Sequence, residues 1–488
     1  MDDLKLYAKN EEQLHRMIAE VKHYTDRMKM RFGTEKCKIV HIVRGKLKTN
    51  SSPFPISQQD CIETLVNKEE QYKYLGILQL DQIKHAEMKI QIKREYFKRV
   101  RAILQTQLSG KHKILSINSL AIPVVRYSGG IIQWSQSELA EVDTKTRKLL
   151  TCHRGFAKLS DVDRLYVDRK DGGRGLISAA DCIHLEEASI GKYRETNSNP
   201  ILQVIGFRTE QEVIDKTKIQ KERKEKWLAK TMHGQYMRQL PETIDKHLSF
   251  QWLANGKLSI ETEGFICAAQ DQAIHTKAMA KHIFKTTTNS ECRVCGKSTE
   301  TVIHIAVECS PLAPTFYLER HNAVARYIHF RLMKIGGFHP TEKLWYRHQP
   351  KKVEETEICK ILWDFDIHTD HHIAARRPDI LVVFKNLKQG LIIDVNCPND
   401  LNVPRNEIEK CTKYTDLKIE LERMWNIQFK VVPIVIGAMG AVSLNLPKFM
   451  KHIGLHPREI KIIQDSVIKS TCSILRKFLT QSGHSPFD

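Results

Sequence analysis

Four potential metal ligands stand close together in the second half of the sequence and constrain it more than any other feature. They follow the pattern C-x2-C-x8-H-x4-C and are Cys292, Cys295, His304 and Cys309. Zinc prefers four tetrahedral sulfur and nitrogen ligands, and a CxxC turn, here followed by Gly296, supplies two of them. Four protein ligands leave no position for a reacting water, so we predict a structural zinc ion that orders a small module too short to fold alone. The alternative is a chance CxxC beside an unrelated histidine.

The chain carries a large excess of positive charge. Its 488 residues include 77 Lys and Arg against 57 Asp and Glu, which gives a formal net charge of +20 and a pI near 9.3. Basic residues occur along the whole length rather than in one tail, and this distribution favours a nucleic-acid backbone over a small acidic substrate as partner. The alternative is that the charge serves solubility alone.

Length and hydrophobic content indicate several packed domains. At roughly 100–200 residues per domain, the length implies about three or four of them. A hydrophobic fraction of 41% with 27% charged residues is enough for packed cores. The longest apolar run, residues 431–442, is interrupted by proline and glycine. It is far shorter than the ~20 residues that span a bilayer, so no membrane partner is expected.

The first residues do not have the pattern of a secretory signal. The sequence opens on Met-Asp-Asp, without a basic segment followed by an apolar one. A reducing compartment is therefore expected, and the twelve cysteines are interpreted as thiols or metal ligands before disulfides.

The first 80 residues have an α/β pattern. Apolar residues recur at helical intervals between Asn10, the expected N-cap, and Gly33, the expected stop. Residues 37–43 alternate like a half-buried strand, a polar Ser-Ser-Pro-Phe-Pro stretch follows, and residues 72–78 are typical of another strand. Helix, strand, loop and strand together predict part of an α/β domain.

Residues 82–150 are mostly helical in pattern and very basic. The mixed-charge segment 218–230, which follows a glycine-rich turn at 172–175 and a further helical stretch, is typical of an exposed linker helix. Within the basic region, five residues crowd into about three helical turns, where they face phosphates or solvent: Lys93, Arg94, Lys98, Arg99 and Arg101.

Between Ile358 and Val435 the sequence returns to an α/β pattern. Glu354, Glu355 and Glu357 are expected at the start of its first helix, where carboxylates favour the helix dipole. The predicted elements are a helix through Leu362 and Trp363, strands at 380–384 and 391–395, a helix over 406–425 and a buried strand at 431–436.

Acidic and basic side chains in this segment form a candidate catalytic site. Asp379 begins one predicted strand and Asp394 lies near the end of the next, so a hairpin brings both to one end of the sheet. Paired carboxylates hold Mg²⁺ or Mn²⁺ through their oxygens. Lys410, Lys413 and Tyr414 share a face of the following helix and can position water or stabilise charge on a scissile phosphate. The alternative is that the aspartates are strand-end turn residues and the lysines a solvated face.

Further short motifs precede this site in a fixed order. The sequence opens with Met1-Asp2-Asp3, has Lys36 within Phe-Gly-Thr-Glu-Lys-Cys, and continues with Tyr74-Leu75-Gly76. Later motifs are Ile-Asn-Ser-Leu-Ala-Ile-Pro at 117–123, Arg-Tyr-Ser at 126–128, Asp-Val-Asp-Arg-Leu-Tyr at 161–166 and Gly-Gly-Arg-Gly-Leu at 172–176.

With the Cys/His pattern, Arg377-Pro378-Asp379 and Lys410-Cys411-Thr412-Lys413-Tyr414, this order resembles the C-terminal part of the polyprotein of ribosomal-DNA-inserting non-LTR retrotransposons. That polyprotein carries a reverse transcriptase, a CCHC zinc module and a restriction-like endonuclease. The middle gap of the Cys/His pattern is similar to that family's and longer than in the retroviral zinc knuckle.

The resemblance implies a role for each motif. Asp2 and Asp3 resemble the end of the [FY]xDD palm motif, whose aspartates hold catalytic metal, and Lys36 resembles the lysine motif that follows it. Asp379 and Asp394, with Lys410, Lys413 and Tyr414, resemble a PD-(D/E)xK-type endonuclease site whose lysine is displaced onto a helix.

The implied fold is multidomain, partly α/β and partly α. The implied parts are a reverse-transcriptase palm remnant at 1–80, a basic helical thumb at 81–200, a helical linker at 201–285, a CCHC zinc module at 286–325, a PD-(D/E)xK-like α/β endonuclease at 350–450 and a C-terminal helical tail at 451–488.

Polymerase activity is not expected from this polypeptide. The family adds nucleotides with a further aspartate upstream of the Asp-Asp pair and with fingers that hold the template, and neither occurs in this sequence. Two metal ions need a carboxylate cage, which Asp2 and Asp3 cannot supply alone. A primer-extension assay that detects templated nucleotide incorporation would contradict this expectation.

Two functions from different classes follow. The first is a retrotransposon-derived enzyme whose family role is RNA-directed DNA polymerisation by target-primed reverse transcription, with a metal-dependent endonuclease still plausible here. The second is a non-catalytic, zinc-containing nucleic-acid-binding remnant, and metal-dependent nicking separates the two. Both expect DNA and RNA as partners, no small-molecule substrate beyond metal ions, and, from the resemblance, a nuclear location. A third function, a structural protein with an incidental zinc site, expects no salt-sensitive binding of nucleic acid.

Overall fold

The chain folds into a mixed α/β structure in which helices predominate. The computed structural model describes residues 3–30, 33–49, 51–56, 60–200, 202 and 215–480. Asp2 lies outside the described residues. None of the described helices combines the length and the apolar character that a membrane crossing requires.

The helices are numbered in chain order. Short π-helical turns occur at Ile117–Ala121, Ala280–Phe284, His304–Glu308 and Ala313–Tyr317. The α-helices of the described residues are α1 (Glu11–Arg27), α2 (His85–Gln105), α3 (Gly110–Ser116), α4 (Ile122–Arg126), α5 (Gln136–Cys152), α6 (Val162–Tyr166), α7 (Ala179–Thr196), α8 (Lys216–Ala229), α9 (Gln235–Gln239), α10 (Lys246–Ser249), α11 (Gln251–Ala254), α12 (Ile260–Gln270), α13 (Lys277–Met279), α14 (Leu318–Ile335), α15 (Val403–Lys413), α16 (Thr415–Trp425), α17 (Leu446–His452) and α18 (Ile460–Thr480).

The strands form one large sheet and several small ones. They are β1 (Lys38–Val40), β2 (Ile42–Val43), β3 (Lys46–Leu47), β4 (Phe54–Pro55), β5 (Cys61–Leu65), β6 (Tyr72–Tyr74), β7 (Ile77–Gln79), β8 (Val353–Glu355), β9 (Cys359–Trp363), β10 (Ile380–Phe384), β11 (Gln389–Asn396) and β12 (Gln428–Val435). The large sheet has the order β12-β11-β10-β9-β8, a three-stranded sheet has the order β1-β5-β4, and β2-β3 and β6-β7 are hairpins.

The N-terminal elements follow the sequence pattern with two differences. Asn10 caps α1 through its side chain, which accepts a hydrogen bond from the Gln13 N–H at 2.9 Å. The helix ends at Arg27, before Gly33. The strand predicted at 72–78 is a hairpin instead, because Leu75 and Gly76 take positive φ angles of 47° and 81° and reverse the chain.

Residues 82–150 are mostly helical, as predicted, and pack around one core. Tyr96, Val100 and Ile122 are buried there, on α2 and α4. Arg94, Lys98 and Arg101 of α2 are exposed, on the side of the helix away from this core.

The mixed-charge segment 218–230 is helical, but the prediction of an exposed linker is wrong for part of it. Trp227 on α8 is fully buried and packs in the same core as Phe265 on α12 and Phe478 on α18. Arg164, also buried, donates to Asp271 at 2.8 Å beside Trp227. This core joins the segment around 227–274 to the Cys/His region and to the C-terminal helix.

The large sheet corrects three sequence predictions. Leu362 and Trp363 lie in β9, which pairs antiparallel with both β8 and β10, so no helix passes through them. Glu354 and Glu355 belong to β8 rather than to a helix start. The predicted helix over 406–425 is two helices, α15 and α16, which meet at Tyr414.

Both faces of this sheet are covered. Ile361, Ile380 and Ile393 face a core shared with α14, α17 and α18. Leu381 and Ile392 face the opposite core, which includes α16. Because strands buried on both faces are apolar almost throughout, the strand predictions at 380–384, 391–395 and 431–436 are confirmed as β10, β11 and β12.

Candidate metal centre and carboxylate site

The four predicted zinc ligands come together. One ligand atom from each of Cys292, Cys295, His304 and Cys309 lies within 4.8 Å of all the others. The Cys292 and Cys309 sulfurs are 3.8 Å apart, and Cys295 Sγ lies 3.4 Å from His304 Nε2. A zinc tetrahedron with Zn–S bonds of about 2.3 Å has S–S edges of about 3.8 Å and slightly shorter S–N edges. The four side chains therefore fit a tetrahedral zinc ion.

A tight turn presents the first two cysteines. The Gly296 N–H donates to the Cys292 carbonyl at 2.8 Å, and the Cys292 N–H donates to the Ser298 carbonyl at 2.7 Å. Gly296 takes a φ of 64°, in the left-handed region that glycine tolerates best. This closed turn directs both sulfurs to one side.

The other two ligands lie on a π-helical turn that closes against a tyrosine. The Cys309 N–H donates to the His304 carbonyl at 2.9 Å and lies 3.1 Å from the Tyr317 hydroxyl. That hydroxyl donates to the Ile305 carbonyl at 2.7 Å. We call residues 304–309 the zinc loop, and Tyr317 fastens it to the start of α14.

The protonation of the thiols is uneven without a cation. Backbone N–H groups, first that of Lys297, lower the pKa of Cys295 to about 6. Burial and the neighbouring Cys292 raise the pKa of Cys309 to about 12. Clustered thiolates repel one another, and a bound divalent cation removes that repulsion by ionising its thiol ligands. The donor set thus fits zinc in chemistry as well as in geometry.

The Cys/His turn is packed into the body of the protein. Glu300 is fully buried and binds Arg293 through two hydrogen bonds, of 2.5 and 2.7 Å, and it accepts the Lys277 N–H at 2.9 Å. The Arg293 guanidinium stacks over Phe478 of α18, 5.4 Å from the ring centre. The predicted zinc module therefore shares its core with the C-terminal helix.

The hairpin of β10 and β11 brings Asp379 and Asp394 to the same end of the large sheet. Ile380 pairs with Ile393, so the two aspartates are next in the antiparallel register. Asp394 is only 3% exposed, whereas the Asp379 side chain is 22% exposed. One carboxylate is thus deep and the other lies nearer the surface.

Three side chains of the K-x-x-K-Y motif converge on Asp394. Lys410 Nζ lies 2.5 Å from Oδ1, and the Tyr414 hydroxyl donates to Oδ2 at 2.5 Å. Lys413 is 3.7 Å from Oδ2 and also donates to the Tyr414 hydroxyl at 2.9 Å. Burial and the nearby carboxylate raise the pKa of Tyr414, so it remains a hydrogen-bond donor. The lysine contact with Oδ1 lacks hydrogen-bond geometry, and Oδ1 has no hydrogen-bond partner among the described residues.

Asp379 has a partner that the sequence did not suggest. His321 Nε2 lies 3.0 Å from Asp379 Oδ2, which also accepts the Val395 N–H at 2.6 Å. Burial opposes the imidazolium form, but the Asp379 carboxylate outweighs it and raises the pKa of His321. His321 lies 58 residues before Asp379, so no local spacing relates them.

The predicted nucleic-acid residues lie on the surface, with different surroundings. Lys36 is exposed at the end of a short helical turn, and Arg94, Lys98 and Arg101 are exposed on α2. In contrast, ion pairs hold Lys93 to Glu141 at 2.7 Å and Arg99 to Glu95 at 2.8 Å.

The structure does not test the proposed pairing of Asp2 with Asp3. Asp3 is exposed, and Asp2 is outside the described residues. Among the residues that the structure describes, the Cys/His set is the one group of three or more potential ligands close enough to hold a metal ion. A role for Asp2 and Asp3 in metal binding therefore stays a prediction.

No protein-family model matches the sequence, and no curated protein gives a significant match.

Proposed function

We propose that this chain is a metal-dependent DNA endonuclease derived from a non-LTR retrotransposon polyprotein, with a structural zinc site. The observation that carries the proposal is the convergence of Asp379 and Asp394 at one sheet end with Lys410 at 2.5 Å from the deeper carboxylate. Two carboxylates beside a lysine suit hydrolysis of a phosphodiester.

The hydrogen bonds to each carboxylate use one oxygen, and at Asp394 the other oxygen faces the Lys410 ammonium at 2.5 Å. The His321 imidazole and the Val395 N–H use Asp379 Oδ2, and Tyr414 uses Asp394 Oδ2. Asp394 Oδ1 is buried and lacks an aligned donor within the described part of the chain. Oxygen ligands of this kind suit Mg²⁺ or Mn²⁺, which when bound polarises a phosphate and acidifies water.

The surrounding side chains have separate tasks in this proposal. Lys410 neutralises Asp394 before a cation arrives and then supports negative charge on the phosphate. Lys413 is half-exposed, 45% by side-chain area, and meets the DNA backbone at the rim. Tyr414 holds the Asp394 carboxylate in one orientation.

Nucleic-acid binding rests on the basic surface. Arg94, Lys98 and Arg101 are exposed on α2, and the chain as a whole carries a net charge of +20. Each neutralised phosphate of duplex DNA contributes about −0.9 to the slope of log K against log salt. DNA and RNA as partners, and a nuclear location, belong to the same proposal and rest on the resemblance.

A second candidate is a non-catalytic nucleic-acid-binding protein. Its support is the short contact between Lys410 and Asp394, because a buried carboxylate paired with an ammonium is neutral without any cation. In that case the Asp-Lys group is a structural ion pair and the zinc site orders a binding surface.

Nicking of supercoiled plasmid separates the two. Purified protein with Mg²⁺ or Mn²⁺ is expected to convert the supercoiled form to open circles, whereas EDTA and Asp394→Ala are expected to abolish conversion. Asp416→Ala, which changes an exposed aspartate at the start of α16, serves as the matched control and should nick normally. Equal DNA binding without nicking by the native protein would establish the second candidate.

A further inference from the structure

The start of α14 is fastened to the zinc loop. Tyr317 immediately precedes Leu318, the first residue of α14. Its hydroxyl contacts the Cys309 N–H and donates to the Ile305 carbonyl. Both partners lie within residues 304–309, so the orientation of the first turn of α14 depends on the zinc loop.

Arg320, one turn further, extends this attachment to the large sheet. Its side chain is almost completely buried and donates to the Ala306 carbonyl at 2.9 Å and to Thr471 Oγ1 at 3.0 Å. It also donates to the carbonyl of Cys397, just after β11, at 3.3 Å. These three bonds use both terminal nitrogens of the buried guanidinium, while its Nε has no hydrogen-bond partner among the described residues, and they connect α14 to the zinc loop, α18 and the end of β11.

His321, the next residue, faces the carboxylate site. It holds Asp379 Oδ2 at 3.0 Å and borders a cleft of about 330 Å³. The zinc loop forms one wall of this cleft through Val307 and Glu308, and the segment after β11 forms the other through Asn396 and Asn399. The cleft thus lies between the zinc loop and the end of the sheet that carries Asp379.

We infer that His321 is a positioning residue for Asp379 and that the zinc loop sets its position through Tyr317 and Arg320. The inference rests on the proposed nuclease function. His321 and the Val395 N–H occupy one oxygen of Asp379 and thereby fix the direction of the other oxygen. Groups that orient a ligand in this way typically change metal affinity about 10-fold to 100-fold when removed.

The test compares His321→Ala with His321→Gln in the zinc-loaded protein. The glutamine amide can still donate to Asp379 Oδ2, so it should restore most of what alanine removes. Mn²⁺ affinity is measured by electron paramagnetic resonance, zinc content by elemental analysis and nicking on plasmid. His282→Ala, at an exposed histidine, is the control.

We expect His321→Ala to keep one zinc per chain and its thermal stability, and to weaken Mn²⁺ binding about 10-fold or more. If His321→Ala has the Mn²⁺ affinity and nicking rate of the native protein, the inference is overturned while the nuclease function survives. If the native protein binds Mn²⁺ through Asp394 but does not nick, the function fails and the Mn²⁺ affinities alone decide the inference. A native protein without an Asp394-dependent Mn²⁺ site overturns both.

Tyr317→Phe tests the part played by the zinc loop. It removes the hydroxyl that contacts the Cys309 N–H and the Ile305 carbonyl, and it leaves the side chains of the four zinc ligands and of Asp379 unchanged. Retained zinc with Mn²⁺ affinity weakened several-fold supports coupling between the two sites. Retained zinc with unchanged affinity removes the zinc loop from the inference and leaves His321 acting alone.

Discussion

The Cys/His cluster and the carboxylate pair each bring ionisable side chains close together. They differ in whether the protein alone supplies a complete set of ligands for one metal ion. In the Cys/His cluster every ligand atom is within 4.8 Å of the other three, at distances suited to one tetrahedral ion. At the carboxylate pair, Asp379 and Asp394 are held on one oxygen each, and Asp394 Oδ1 has only the off-axis Lys410 ammonium beside it.

Because of this difference, we assign folding stability to the metal of the Cys/His cluster and the proposed reaction to the carboxylate pair. A site with four protein ligands has no coordination position for substrate, so its metal contributes to folding. At the carboxylate pair, Asp394 Oδ1 has no hydrogen-bond partner among the described residues, and in the proposed function this oxygen and the neighbouring lysines serve a cation and a phosphate. We call the Cys/His cluster the closed site and Asp379 and Asp394 with their neighbouring lysines the open site. The closed site lies inside the helical core, and the open site lies at the end of the large sheet.

Loss of a zinc ligand should have the largest effect. Cys309→Ser is expected to lose zinc and to lower the free energy of unfolding by several kcal/mol, since structural zinc contributes on the order of 10 kcal/mol in small zinc domains. Zinc analysis and thermal unfolding measure this. Cys152→Ser, at an exposed cysteine, should change neither quantity. A zinc-free Cys309→Ser protein with native stability would mean that the cluster is incidental.

The two lysines of the open site should differ in importance. Lys410→Ala is expected to reduce nicking about 100-fold and Lys413→Ala about 10-fold, because Lys410 is 2.5 Å from Asp394 and Lys413 is 3.7 Å away and half-exposed. Initial nicking rates at saturating Mg²⁺, with zinc content as the control, decide this. Equal losses would indicate that both lysines act only through the electrostatic potential of the site, not through their individual positions.

The tyrosine of the open site should matter less. Tyr414→Phe removes the hydrogen bond of 2.5 Å to Asp394 Oδ2 but leaves the ring in the core, so nicking should fall about 10-fold. Tyr346→Phe, at an exposed tyrosine, is the matched control. No change in nicking would show that Asp394 is oriented by its lysines alone.

The smallest expected effect is a decrease in the free energy of unfolding at lower pH. His329 of α14 is buried against His348, and burial, with repulsion from His348, lowers its pKa to about 3. The unfolded state therefore binds more protons below pH 6.5, and stability falls with acidification by on the order of 1 kcal/mol between pH 7 and pH 6. Urea unfolding at the two pH values measures this loss, which should be smaller in His329→Gln. An identical loss in both proteins would assign it to other groups.

Sequence patterns predicted what depends on short spacing. The CxxC turn and its His/Cys partners lie within 18 residues of chain, and the register of one hairpin brings Asp379 beside Asp394. Local geometry decides both cases. Lys410 and Lys413 follow helical spacing on α15, whereas Tyr414 lies between α15 and α16 and contacts the same Asp394 carboxylate from that junction.

The sequence could not predict what tertiary packing decides. A short apolar run such as Ile361, Leu362 and Trp363 suits a helix or a strand equally, and its two strand neighbours determine the outcome. The contact between His321 and Asp379 joins a helix to a strand end, and the burial of Trp227 depends on α18 far along the chain.

The most direct test measures plasmid nicking by the zinc-loaded protein as Mn²⁺ is added. It shows whether zinc stabilises the fold while a second metal ion is required for DNA cleavage. We expect no nicking without added Mn²⁺, then a saturable rise that follows the Mn²⁺ binding curve while zinc stays at one per chain, and no rise in Asp394→Asn. Full nicking without added Mn²⁺, or an equal rise in Asp394→Asn, would contradict the assignment of chemistry to the open carboxylate site.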